Sequence, residues 1–87
     1  MGYRLTLSAS AKRDLKKLDP YVQKKIAQWL DQYLDGCTDP RIHGHVLHGE
    51  LSDYWTYRIG NYRVIAEIKD RELEIYAIKI ADRKYAY

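Results

Sequence analysis

The dipeptide Gly60-Asn61 lies between two segments of alternating polarity, and it restricts the fold more than any other feature of the chain. The segments are 54–59 (YWTYRI) and 62–69 (YRVIAEIK), and each is long enough for a strand. Two-residue loops with glycine join antiparallel neighbours, because glycine adopts the positive φ that such turns require. The sequence therefore predicts a β-hairpin in which Arg58 lies opposite Arg63. A third strand, 73–80 (LEIYAIKI), follows a tight turn at Asp70-Arg71 and completes a meander.

The N-terminal half has the pattern of one strand and two helices. Residues 3–7 (YRLTL) alternate with period two, which predicts a strand. Ser8 or Ser10 can cap a first helix, and Asp19-Pro20 ends it and begins a second, with Asp19 as the N-cap. A glycine at position 36 ends the second helix. The apolar residues of that helix form one stripe: Val22, Ile26, Trp29, Leu30, Tyr33 and Leu34.

These elements predict one α+β domain, residues 1–87, in the order β-α-α-β-β-β. The N-terminal strand and the helical hairpin pack on one face of an antiparallel sheet. Residues 37–53 show no sustained period and form a long connection, with one short strand near Val46-Leu47. A connection of this length in a small domain often carries function.

Composition excludes several classes of protein. No apolar run approaches the roughly 20 residues of a membrane span, and the N-terminus has no signal-peptide pattern. The single Cys37 excludes an internal disulfide framework, so we expect a cytoplasmic protein. We expect no metal and no cofactor, because Cys37, His43, His45 and His48 match no zinc spacing. Residues 1–25 hold seven basic and two acidic side chains, which predicts an anionic partner or a solvated lysine-rich helix face.

The hairpin register predicts a candidate site on the sheet face that the helices leave uncovered, which we call the open face. Arg58 and Arg63 lie side by side there, and like charges in directly opposite positions oppose strand pairing. Guanidinium groups fork onto phosphate oxygens, so the pair is a candidate phosphate site; two arginines extending into water is the alternative. The same face is expected to carry Thr56, Ile65, Tyr76 and Ile78, with Ile78 opposite Arg63 and Glu67 opposite Glu74.

The C-terminal segment ADRKYAY can bring Arg83 and two tyrosines over the arginine pair, or it can be a frayed basic tail. His48 precedes the hairpin and is a candidate acid or base, although a histidine in such a position is more often an ordinary loop residue.

Four stretches of the chain resemble the RelE/ParE superfamily of bacterial type II toxins: AKRDLKKLDP…KKI, LHGELSDYW, YRIGNYRVIAEI and IADRKYAY. The resemblance implies a small α+β fold, a cytoplasmic site of action and a cognate antitoxin that wraps the toxin. It also implies one of two activities. The RelE branch cleaves mRNA in the ribosomal A site, whereas the ParE branch poisons DNA gyrase.

The resemblance to the RelE branch also implies four catalytic residues. Arg58 falls where these nucleases have a catalytic lysine or arginine, and Arg63 falls on the arginine that stabilises the scissile phosphate. Arg83 matches the arginine near the end of the last strand, and Tyr87 matches the C-terminal tyrosine that stacks on the base.

Two positions depart from the family pattern. Thr56 stands where many relatives have a second basic side chain, and Asp82 stands where histidine or another basic residue is frequent. Both changes lower the positive charge expected near the site. Besides Thr56 itself, the expected substrate-binding residues are those that can compensate: His48, Lys84 and Tyr85.

The resulting expectation is a toxin that cleaves mRNA on the ribosome, by attack of the 2′-hydroxyl on the adjacent phosphate. Its partners are then the antitoxin, the ribosome and mRNA. The alternatives are a gyrase inhibitor that makes no use of converging arginines, and a non-toxic member that only binds an antitoxin.

Overall fold

The computed structural model describes residues 2–47 and 54–82, which form two helices and a five-stranded sheet. Seven elements follow one another: β1 (Arg4–Leu7), α1 (Ala9–Lys16), α2 (Pro20–Tyr33), β2 (His45–Val46), β3 (Trp55–Ile59), β4 (Tyr62–Lys69) and β5 (Glu74–Asp82). The strand order is β1-β5-β4-β3-β2. This confirms the predicted α+β class, the helical hairpin and the short strand in the long connection.

The sheet is mixed rather than wholly antiparallel, because β1 pairs with β5 in parallel. The other three pairings are antiparallel, as the meander requires. No tight turn joins β1 to β5, so nothing in the local chain forces them to run in opposite directions.

Both helices begin at side-chain caps. The hydroxyl of Ser8, not Ser10, accepts a hydrogen bond from the Ala11 amide at 3.0 Å. Asp19 accepts from the Tyr21 amide at 2.9 Å, and the proline after it occupies the first turn of α2. These caps satisfy amides that have no partner within the helix, which is why the chain turns into helix at these points. No helix within residues 2–47 and 54–82 is long and apolar enough to cross a membrane.

The helices cover one face of the sheet. The buried core is formed by residues from α1, from α2 and its C-cap, and from the last three strands: Ala11, Ile26, Leu30, Leu34, Tyr57, Ile59, Val64, Ala66, Ile75, Ala77 and Ile80. On β3 and β4 these are alternate residues, so the residues between them, Arg58 and Arg63 included, lie on the open face.

The register of β4 and β5 corrects the prediction. Arg63 pairs with Ala81 rather than Ile78. A tight turn at Asp70-Arg71 would have paired Lys69 with Glu72, but Lys69 pairs with Glu74 across a longer loop in which Leu73 has a φ of 51°. The longer loop moves the register of β5 against β4 by two residues. Glu67 therefore pairs with Tyr76 and not with the predicted Glu74.

A β-bulge adds one further residue of shift. Ile65 pairs with Lys79 and Ala66 pairs with Ala77, so Ile78 has no counterpart on β4. A two-residue shift keeps every side chain on its face, whereas a one-residue shift reverses the faces beyond it. Alternation alone cannot reveal such an inserted residue.

Helix α1 hydrogen-bonds the edge of β5 beyond the end of β1. The amide of Ser8 donates to the Ala77 carbonyl at 2.8 Å, and its hydroxyl donates to the Ile78 carbonyl at 3.4 Å. Nearly two turns further along α1, the Asp14 carboxylate accepts from the Ile80 amide at 3.0 Å. The helix thereby replaces a neighbouring strand along the bulged part of β5.

The long connection is anchored by buried and polar contacts. The Tyr57 hydroxyl donates to the Pro40 carbonyl at 2.7 Å in the core. Arg41 donates two hydrogen bonds to Asp70, at 3.1 and 2.9 Å, and the Tyr3 hydroxyl donates to the same carboxylate at 2.7 Å. The fork of Arg41, with the Tyr3 hydroxyl, lowers the pKa of Asp70 below its usual value. These bonds hold the connection against the sheet and position β2 beside β3.

Candidate nucleic-acid interface

Two rows of side chains cross the open face near the β3–β4 turn. The first, the arginine row, consists of Arg58, Arg63 and Ala81 on three neighbouring strands. The second, the lysine row, runs from β2 to β5 and consists of His45, Thr56, Ile65 and Lys79. Directly paired residues share a face of a sheet, so both rows lie on the side away from the helices.

The hairpin turn produces the arginine pair. Gly60 has a φ of +59°, and Ile59 pairs with Tyr62 to close the turn. The next pair is Arg58 with Arg63, as predicted, and Cβ atoms of such pairs lie about 5 Å apart. Arg58 is exposed and Arg63 is half-buried. Two guanidinium groups are therefore held on adjacent strands, with one of them presented to solvent.

The centre of the lysine row is uncharged and buried. Thr56 is 5% exposed and Ile65 is 3% exposed, although neither belongs to the core under the helices. The Thr56 hydroxyl has no hydrogen-bond partner among the described residues. Its burial leaves almost no surface for direct contact with a substrate, and its role in substrate binding stays a prediction.

The alternation of residues along β5 did not predict that Lys79 lies on the open face. Strict alternation from the buried Ala77 puts Ile78 on the open face and Lys79 under the helices. The bulge reverses that assignment, since Lys79 pairs with Ile65 and the next residue, Ile80, is buried in the core. A signal was present in the sequence: a lysine between two isoleucines, at a position that alternation assigns to the core, indicates a bulge.

Asp82 departs from its expected place for the same reason. It pairs with Tyr62, whose side chain packs against the core cluster, so alternation places Asp82 on the helix side of the sheet. The sheet therefore lies between Asp82 and the arginine row, and the effect of Asp82 on the charge near the arginines stays a prediction. The substitution at Thr56 is the departure that remains on the open face.

The far end of the open face is balanced in charge. Glu74 has Lys69 on one side and Arg4 on the other, and the Lys69 ammonium lies 4.8 Å from the centre of the Tyr76 ring. Glu67 pairs with Tyr76 in the next row. The two rows near the turn hold no carboxylate among the described residues. As far as the described residues go, the open face thus has one end with basic side chains and one end with both charges.

The remaining predicted site residues lie outside the described residues: His48, Arg83, Lys84, Tyr85 and Tyr87. Within the described part of the chain, no three side chains of histidine, cysteine or acidic type are grouped to hold a metal ion. The two rows offer three basic side chains, Arg58, Arg63 and Lys79, and a single imidazole, that of His45, with no carboxylate among the described residues of either row to form an acid–base pair with it. Arginine stabilises a developing negative charge, but it stays protonated and is a poor base.

The comparisons with known proteins agree on one kind of protein. A family model described as "ParE toxin of type II toxin-antitoxin system, parDE" matches residues 5–87. Toxin RelG of Mycobacterium tuberculosis is 26% identical over 87 residues, which cover 100% of this chain and 98% of RelG.

Two solved structures show the same fold. The crystal structure of the RelBE2 toxin–antitoxin complex from Mycobacterium tuberculosis contains a chain that matches with a TM-score of 0.86 at 25% identity, over 95% of this chain and 93% of that one. The intact E. coli RelBE toxin–antitoxin complex matches with a TM-score of 0.74 at 22% identity, over 93% and 96%. Because the family model covers nearly the whole sequence, this chain belongs to the ParE toxin family of type II toxin–antitoxin systems, within the RelE/ParE superfamily.

Proposed function

We propose that this toxin is an endoribonuclease that cleaves mRNA on the ribosome. The observation that carries the proposal is the Arg58–Arg63 pair on a sheet face that the helices leave uncovered. A structural role explains the pair poorly, because two like charges in directly opposite positions weaken strand pairing. A phosphate between the two guanidinium groups would offset that repulsion.

The proposed reaction is an in-line transesterification. The 2′-oxygen of one nucleotide attacks its own 3′-phosphorus, the bond from phosphorus to the 5′-oxygen breaks, and the products are a 2′,3′-cyclic phosphate and a 5′-hydroxyl. One proton leaves the 2′-hydroxyl and one is delivered to the 5′-oxygen. Arg58 and Arg63 stabilise the extra charge on the phosphorane in this scheme.

The other proposed roles rest on the sequence, since their residues lie outside the described part of the chain. Arg83 follows Ala81 by two positions, and Ala81 is the neighbour of Arg63 in the arginine row. In the proposal Arg83 stabilises the leaving oxygen, while Tyr87 stacks on the base and takes part in proton transfer. The supporting contacts to RNA are assigned to His48, Lys84 and Tyr85.

The lack of an acid–base pair among the described site residues has a consequence for the substrate. Without such a pair, most of the rate must come from holding the 2′-oxygen, the phosphorus and the leaving oxygen in line. A ribosome that already orients the mRNA supplies that geometry. We therefore expect fast cleavage of mRNA in programmed ribosomes and little cleavage of the same RNA free in solution.

Toeprinting of programmed ribosomes with purified protein tests this function. Arg63→Ala should reduce the cleavage rate about 10²–10³-fold, the usual effect of removing one donor that stabilises an oxyanion. Arg71→Ala is the matched control, because it removes an arginine from an exposed turn outside the open face. Intact mRNA in the wild-type reaction, beside cleavage by a known mRNA-cleaving toxin, would overturn the proposal.

We also propose that a cognate antitoxin neutralises this chain, because several of the matched structures are toxin–antitoxin complexes. The exposed lysines and arginine of the helical hairpin favour an acidic partner: Lys12, Arg13, Lys16, Lys17, Lys24 and Lys25. Adding the antitoxin to the toeprinting reaction should stop cleavage. Undiminished cleavage in a stoichiometric complex would contradict this assignment.

Gyrase inhibition is the second candidate, and the description of the matching family model favours it. That activity makes no demand on the arginine row. A supercoiling assay with purified gyrase and growth assays of cells that produce Arg63→Ala separate the two functions. Toxicity that survives the substitution, together with loss of supercoiling, would support gyrase as the target. An absence of growth arrest with the wild-type chain would instead indicate a member that only binds an antitoxin.

A further inference from the structure

We infer that Lys79 binds an RNA phosphate next to the one held by Arg58 and Arg63. This rests on the proposed ribonuclease function for its substrate. Its evidence is separate, since it comes from the register of β5 and not from the arginine pair. Lys79 pairs with Ile65 and therefore belongs to the same row as Thr56.

The distances between the rows favour a shared ligand. Ala81 is the direct partner of Arg63, so Lys79, two residues before Ala81 on β5, is the diagonal neighbour of Arg63. Diagonal neighbours on one face lie about 7–8 Å apart, which long side chains span. Within the lysine row, Thr56 and Ile65 lie between Lys79 and His45, and both are uncharged and buried. A strand of RNA that crosses from the arginine row to the lysine row would meet a cation in each.

The bulge that places Lys79 on the open face is held at the edge of β5 by α1 and its N-cap. Asp14 on α1 accepts the hydrogen bond of the Ile80 amide at 3.0 Å, one residue after Lys79. Ser8 contacts the carbonyl of the bulged Ile78. Two side chains of the helical layer thus hold the backbone on either side of Lys79. A bulge that redirects one side chain onto a binding face is a frequent use of this irregularity.

Binding of a 2′-O-methyl oligoribonucleotide tests the inference, because that probe keeps the phosphates and cannot be cleaved. Its affinity should be measured at several salt concentrations for the wild type, Lys79→Gln, Lys79→Arg and Lys69→Gln. Each phosphate contact to a single strand contributes about 0.7 to the slope of log affinity against log salt. We expect Lys79→Gln to lower the slope by about that amount and the affinity about tenfold at low salt. Lys79→Arg should retain both quantities.

Lys69→Gln is the matched control, since Lys69 lies on the same face at its charge-balanced end. It should leave the slope unchanged. Thermal denaturation of each variant checks folding, and Lys79→Met, which keeps the aliphatic stem, replaces the glutamine variant if that one is unfolded. A purely structural lysine would change the melting temperature and leave the salt slope intact.

Equal slopes for wild type and the uncharged Lys79 variants would overturn the inference, whether or not the wild type cleaves mRNA. Probe binding with no salt dependence, or no probe binding at all, would overturn it as well. A reduced slope in a protein that leaves ribosomal mRNA intact would support the phosphate contact and contradict the proposed ribonuclease. The two conclusions therefore fail on different measurements.

Discussion

Replacing Asp14 by alanine removes the acceptor that α1 offers to the edge of β5. The Asp14 carboxylate is half-buried and accepts from the Ile80 amide at 3.0 Å. A hydrogen bond to a charged group contributes about 1.5–3 kcal/mol, and partial exposure favours the lower part of that range. Alanine regains about 0.6 kcal/mol because it is a better helix former than aspartate. The net loss should be about 1–1.5 kcal/mol.

Thermal unfolding followed by circular dichroism measures this loss. For a domain of this size, 1 kcal/mol corresponds to about 4–8 °C, so the melting temperature should fall by about 4–12 °C. Asp31→Ala is the control, because Asp31 is exposed near the end of α2, and the same change there alters helix propensity and end charge without removing a bond to the sheet. Asp14→Asn keeps an oxygen acceptor and should lose less than Asp14→Ala. Equal melting temperatures for Asp14→Ala and Asp31→Ala would show that the bond to β5 contributes nothing.

Three further changes test how the long connection is held. Tyr57→Phe removes the buried bond to the Pro40 carbonyl and leaves that acceptor unpaired, so denaturant titration should show a loss of about 1–2 kcal/mol. Gly44→Ala would bring a Cβ within 2.5 Å of a β3 carbonyl oxygen, and strain of about 1–3 kcal/mol should lower the melting temperature, whereas an unchanged value would contradict that packing. The Asp70 pKa is lowered by Arg41, so this carboxylate stabilises the fold above its unfolded pKa, and the contribution disappears as pH falls through the folded value. Asp70→Asn should therefore flatten the acid side of the stability–pH curve, and an unchanged curve would contradict that linkage.

Local patterns were sufficient for the elements and for the central pair of the site. The Gly60-Asn61 turn permits one register, so Arg58 beside Arg63 followed from the sequence. The cap at Asp19, and a serine cap at Ser8 or Ser10, followed from the residues that satisfy free amides at helix starts. In each case the interaction joins residues that are close in the chain, and the chemistry of a few side chains decides it.

The register of β5 and the faces of its last residues could be seen only in the tertiary structure. The sequence by itself determined a strand after Lys69, but not the length of the loop before it or the extra residue at Ile78. That extra residue is stabilised by contacts with Ser8 and Asp14, more than 60 positions away in the chain. Alternation assumes an unbroken period of two, and one inserted residue reverses every later side chain. Whether Lys79 and Asp82 face the helices or the arginines was therefore decided by long-range hydrogen bonding and not by local polarity.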